Sequence, residues 1–182
     1  YVTRCLQKTD DIRRLTDRMF EYALVYDASE PEQIRMISFS LSRLLELFRE
    51  QMDFLELAGF HTDISFPDAD TSDITTLDAL TIRADPELCK RVLNNLFSNI
   101  LKYGSKQETV TLSMQLPPES NNDAALCLAL KNAVNPEHST IESNQIGLKS
   151  SMRNMERMGG KLVVFQTDTF FEVTLSFPVT AP

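Results

Sequence analysis

The stretch from Ala84 to Gly104, ADPELCKRVLNNLFSNILKYG, constrains the fold more than any other part of the chain. At about 100° per residue, Leu88, Cys89, Val92, Leu93, Leu96, Phe97, Ile100 and Leu101 fall in one broad apolar sector, with Tyr103 inside it. A sector that wide must be buried. Arg91, Asn95, Asn99 and Lys102, spaced 4, 4 and 3, form a single row bordering it. From spacing alone the row has two readings. It is either the solvated face of a helix or the margin of a cavity, where two carboxamides and an ammonium can hold a metal-bound phosphate.

The rest of the chain arranges itself around this helix. From Tyr1 to Tyr26, Cys5, Ile12, Leu15, Met19 and Tyr26, with Leu6, Phe20, Ala23 and Leu24 beside them, give a helix whose apolar stripe is near heptad spacing. Such a helix either pairs with other helices or docks on the surface of its own domain. The chain starts inside this pattern, which leads us to expect a fragment of a longer protein. Gln33–Phe39 reads as a short strand. Ser40 is placed to cap a helix with Leu41, Leu44, Leu45, Phe48, Met52 and Leu55 on one face, stopped by Gly59. Phe60, Thr62, Ile64 and Phe66 alternate with polar residues, the period of a half-buried strand. Leu80–Arg83 is a brief strand leading into the central helix.

After Gly104 come strands. Val110, Leu112, Met114 and Leu116 alternate on one, and Leu126, Leu128 and Leu130 on the next, with the polar stretch 117–123 between them. Asn132–Gln145 has no periodicity and reads as a loop. A helix over Gly147–Met158 ends at Gly159-Gly160, and Leu162–Phe165 with Phe171–Phe177 forms a final hairpin. Strands mixed with three helices predict an α+β fold, a two-layer sandwich with helices on one face of a mixed sheet. Residues 1–30 and 31–182 are expected to be separate units.

A net charge of −8 argues against binding to a nucleic-acid backbone. Three widely spaced cysteines, Cys5, Cys89 and Cys127, suggest free thiols in a reducing, cytoplasmic setting. No apolar run approaches the length of a membrane span. No serine-hydrolase elbow, phosphate-binding P-loop or paired metal ligands occur.

The central stretch resembles the N-box of sensor histidine kinases, members of the superfamily that includes gyrase, the heat-shock chaperone and the mismatch-repair ATPases. The match rests on Asp85-Pro86 entering the helix, Asn95 and Asn99 four apart, and Lys102-Tyr103 following. A second match is Ile146-Gly147-Leu148-Lys149 with its fixed distance to Gly159-Gly160. The resemblance covers nearly all of residues 33–178 and implies the Bergerat-type ATP-binding fold. It also implies ATP and Mg²⁺ as cofactors. Asn99 would ligate Mg²⁺ and Asn95 would support it. Lys102 would meet phosphate, Tyr103 would flank the nucleotide, and Gly147, Leu148 and Lys149 would present backbone amides to phosphate. Asn132 takes the place of the usual Asp that accepts a hydrogen bond from adenine. Val134, Ser143 and Gln145 stand where the family has glycines.

The resemblance further implies that residues 1–30 are the second helix of a dimerisation and phosphotransfer hairpin. The acceptor His would lie on a helix outside this chain, and a response regulator would receive the phosphoryl group. The parent protein would meet the membrane only through parts absent here. Neither His61 nor His138 resembles an acceptor, which in the family precedes an acidic residue on a helix. Two alternatives stay open: a domain that keeps the fold as a dimerising or regulator-binding module without catalysis, and a serine kinase acting on an anti-sigma partner, which leaves the leading helix unexplained.

Overall fold

The structure, a computed structural model, describes residues 33–65, 80–115, 125–136 and 146–180. The expected N-terminal helix, the stretch 117–123 and most of the expected loop 132–145 lie outside the described residues; Asn132 and Ala133 of that loop belong instead to a strand. The elements are β1 (Ile37–Ser40), α1 (Leu41–Leu57), β2 (His61–Ser65), β3 (Thr81–Ala84), α2 (Pro86–Tyr103), β4 (Thr109–Gln115), β5 (Ala125–Ala133), α3 (Ile146–Arg157), β6 (Lys161–Gln166) and β7 (Phe170–Thr180). The expected α+β architecture is found, a mixed sheet with three helices.

Each helix begins and ends for a local reason. α2 starts at Asp85, whose Oδ1 accepts from the Glu87 and Leu88 N–H groups at 2.9 and 3.3 Å, with Pro86 supplying a preset φ in the first turn. α1 and α3 both end in Schellman motifs. Gly59 at φ 90° and Gly159 at φ 76° take the left-handed position. In α1 the Gly59 and Phe60 N–H groups reach back to Glu56 O and Leu55 O; in α3 those of Gly159 and Gly160 reach Glu156 O and Met155 O. Ser40 departs from expectation. It stands at the N-cap of α1, but its side chain bonds the Ser42 hydroxyl at 2.7 Å instead of a backbone N–H. The helix start is held instead by the Leu41 N–H, which donates to Leu80 O at 2.8 Å.

The strands pair in the order β1-β3-β7-β5-β4-β2, with β6 also on β7. β2 runs parallel to β4; the other pairs are antiparallel. Register aligns the apolar residues in rows. Leu112 faces Leu130, which faces Val173; Met114 faces Leu128, which faces Leu175. These rows, with Ile82, Leu126, Leu162 and Phe177, form one buried cluster with the inward faces of the helices, including Phe48 and Phe97 with ring centroids 6.4 Å apart. β1 and β3 are shifted from the expected Gln33–Phe39 and Leu80–Arg83, because pairing between them sets their limits. Leu101, expected to be buried, is 37% exposed, since it lies at the margin of the apolar sector next to Lys102.

The far end of α2 is sewn to the end of β5. Gly104 bridges Val134, the Ser105 N–H donates to Ala133 O at 2.8 Å, and the Asn135 N–H donates to Tyr103 O at 2.8 Å. Gly104 itself has no room for a Cβ, because of its own helix and Phe60. One added to Gly104 would stand 2.5 Å from Ile100 O and 3.1 Å from the Phe60 ring. At Gly147 the nearest atom would be 3.7 Å away. Gly104→Ala is therefore expected to destabilise the fold by about 1–3 kcal/mol, and Gly147→Ala to leave it close to wild type, as measured by urea unfolding.

Cys89 and Cys127 are free thiols. Burial, and secondarily the Asp85 charge, push the Cys89 thiol up from 9.0 to about 12. Its folded-state value lies above the unfolded one, so its contribution is intact below pH 9 and is lost as pH rises from there towards 12. Stability should thus fall over that range more steeply for the wild type than for Cys89→Ala. In folded protein at pH 8, iodoacetamide should modify the half-buried Cys127 well before Cys89.

Candidate functional site

Within the polar row of α2, Asn95 meets the start of α3. Asn95 is half-buried, and its Nδ2 donates to the Ser151 hydroxyl at 3.2 Å and to Gly147 O at 3.4 Å. Ser151 is fully buried, so this is a polar contact inside a helix–helix interface. Sequence reasoning missed Ser151. Its signal is present: it lies one turn after Gly147 and is a small polar residue on the inner face of α3.

Asn99 follows Asn95 by one turn and is half-buried; Arg91 and Lys102, at the two ends of the row, are exposed. The row therefore deepens in its middle, where the two carboxamides lie. Of the residues expected at the start of α3, Gly147 is half-buried beside Asn95, Leu148 packs against the core and Lys149 is exposed.

Asn132 continues the inward face of β5 beyond Leu130 and is buried, opposite Phe171. Its Nδ2 donates to Ala133 O at 2.9 Å, which leaves its oxygen as the acceptor. Tyr103 is half-buried, and the Gly104–Val134 bridge brings it to the same end of the sheet. Val134 uses its N–H on Thr169 O at 2.9 Å. The structure thus forms two pairs, Asn95 with Gly147 and Tyr103 with the strand end after Asn132. α2 carries one member of each.

Two cavities were traced. The larger, about 540 Å³, includes Asn132 with Lys131, Val134, Thr169 and Phe170, and the Lys131 ammonium lies 4.5 Å from the Phe170 ring centre. The smaller, about 370 Å³, lies at the start of α2 and is lined by Arg35, Asp85, Glu87, Arg91 and Arg157 among others. Asn95, Asn99, Lys102 and Gly147 line neither. Among the described residues no three His, Cys, Asp or Glu side chains are grouped to hold a metal, and no helix is long and apolar enough to cross a membrane.

No protein-family model matches the chain. Over 181 residues it is 25% identical to the sensor histidine kinase YrkQ of Bacillus subtilis, covering 97% of this chain and 37% of that protein. It thus spans little more than a third of that relative's length. Among solved structures, the Acinetobacter baumannii histidine kinase AdeS aligns with a TM-score of 0.57 and 13% identity, over 95% of this chain and 81% of that one. The catalytic domain of histidine kinase ThkA aligns with a TM-score of 0.57 and 15% identity, over 79% of this chain and 95% of that one. The cytoplasmic segment of histidine kinase QseC aligns at 0.52 and 15% identity, over 92% of each. The chain has the fold of histidine kinase catalytic domains and is similar in sequence to a sensor histidine kinase.

Proposed function

We propose that this chain is the ATP-binding catalytic part of a two-component sensor histidine kinase. It would transfer the γ-phosphoryl group of Mg-ATP to a His on a hairpin helix outside this chain, for relay to an Asp of a response regulator. The observation that carries this reading is the junction of Asn95 with Gly147 and Ser151. It brings the two segments whose residues resemble the family's phosphate site into contact.

The donor set suits a metal held jointly by protein and ligand. Asn99 offers one hard carboxamide oxygen, and with no acidic cage among the described residues, further ligands would be phosphate oxygens and water. The chemistry supplied by bound Mg-ATP is a transferable phosphoryl group whose charge the metal offsets. Lys102 would meet phosphate as a point charge. The amides of Gly147, Leu148 and Lys149 at the start of α3 donate to phosphate oxygens. Asn132 accepts from the adenine amine through its oxygen, and Tyr103 flanks the nucleotide. Asn95 cannot act as a general base, which suits transfer to a His and not to water. Dimerisation would run through residues 1–30, and the chain would work in the cytoplasm as part of a membrane-bound sensor.

One observation favours a second reading, a dimerising or regulator-binding module without catalysis. Val134 stands where the family has glycine and is tied to both Gly104 and Thr169.

Calorimetric titration separates the two. Micromolar binding of Mg-ADP or Mg-ATP, weakened at least tenfold by Asn99→Ala, is expected; absence of binding at millimolar nucleotide would favour the second reading. A double-mutant cycle of Asn95→Ala and Ser151→Ala, read by urea unfolding without nucleotide, should give a coupling of about 0.5–1.5 kcal/mol.

A further inference from the structure

β6 is an open edge. Lys161–Gln166 pairs with β7 on one side, and no described strand pairs with its other side. Strand edges are usually protected by inward charges, proline or a bulge. Leu162–Phe165 is four consecutive apolar residues, LVVF, with none of these. On the face away from the helices, Val163 is 46% and Phe165 59% exposed. Phe165 is also held in place, its ring 5.6 Å from that of Phe170. This is an ordered apolar edge already shaped for a strand.

We propose that β6 pairs antiparallel with β6 of a second copy of this chain, with the two-fold axis at Val163. Charge complementarity selects this occupant and this register. With Val163 opposite Val163 of the second copy, Lys161 faces the other copy's Phe165, whose neighbour on β7 is Glu172. Each ammonium then meets an aromatic ring with a carboxylate beside it, and the exchange is reciprocal, as a two-fold axis demands. The chain already places lysine over phenylalanine twice, Lys131 on Phe170 and Lys106 on Phe60. On the inward side the same register sets Leu162 against Val164. Shifting the axis to Val164 sets Leu162 against Gln166 instead, and parallel pairing brings the two Lys161 side chains together. The pairing rests on β6 and does not depend on nucleotide binding.

Two short edges bury a small interface, so association is weak for free chains. Sedimentation equilibrium of the 182-residue chain up to about 1 mM, the effective concentration of a tethered pair, should show mass rising with concentration. Val163→Lys and, independently, Phe165→Lys should abolish this rise, so that the mass at the highest concentration equals that at the lowest, whatever state the N-terminal residues set. Both side chains are outward-facing, so an unchanged melting temperature confirms that each variant folds. In a Cys5→Ser, Cys127→Ser background, Val163→Cys should oxidise to a covalent dimer and Lys161→Cys should not. Three results would overturn the proposal: a mass independent of concentration, including one accompanied by binding of an extended apolar peptide along β6; mass unchanged by both lysine variants; or equal cross-linking at 161 and 163.

Discussion

One buried carboxylate organises the start of the central helix. Asp85 accepts from the Glu87 and Leu88 N–H groups with one oxygen and from the Arg35 N–H, at 2.7 Å, with the other. The first two bonds satisfy orphan donors of α2; the third fixes the segment that enters β1. Three charge-assisted bonds offset the cost of burying the charge. The same negative charge, with burial, keeps the Cys89 thiol protonated one turn along the helix. At the opposite end, Gly104 bridges Val134 and the Ser105 N–H donates to Ala133 O, which ties the helix to the end of β5. α2 is therefore fixed at both ends before any of its side chains meets a ligand.

That rigidity gives the polar row its geometry. Asn95 and Asn99 cannot swing outward with a fraying helix, and Asn95 is committed to α3 by two hydrogen bonds. In the proposed site the metal ligand and the residue that braces α3 are consecutive turns of one helix. Gly147, which has room for a Cβ, is not required by packing at this contact, so its value would lie in what approaches it.

Periodicity made much of this legible. The alternation in β4, β5 and β7 and the sector of α2, apart from Leu101 and Tyr103 at its C-terminal end, identify buried faces correctly because burial alone determines them. The glycine stops of α1 and α3 are equally local. Tertiary facts were not legible. That β2 runs parallel to β4, that β7 is central, and that Gly104 is a contact glycine all depend on which elements are neighbours, and a side-chain period identifies a face without its partner. Ser40 shows the same limit, since its residue type suits a cap but the start of α1 is held by Leu80. At the site, the spacing of Asn95, Asn99 and Lys102 was readable, whereas the Ser151 partner required knowledge of the α2–α3 interface. The expected helix over residues 1–30 lies outside the described residues.

The place of β7 in the sheet has a consequence for synthesis. β7 pairs with β3, β5 and β6, all of which precede it in the chain. Thr81 waits for Thr180, and such distant pairings carry the largest loop-closure cost. As the chain emerges from a ribosome, β1 and β3 can pair with each other and β4 with β5, but no strand pairing joins these two half-sheets until β7 appears. Until then α2 links the two half-sheets, and the strand that completes the sheet between them is the last to be made.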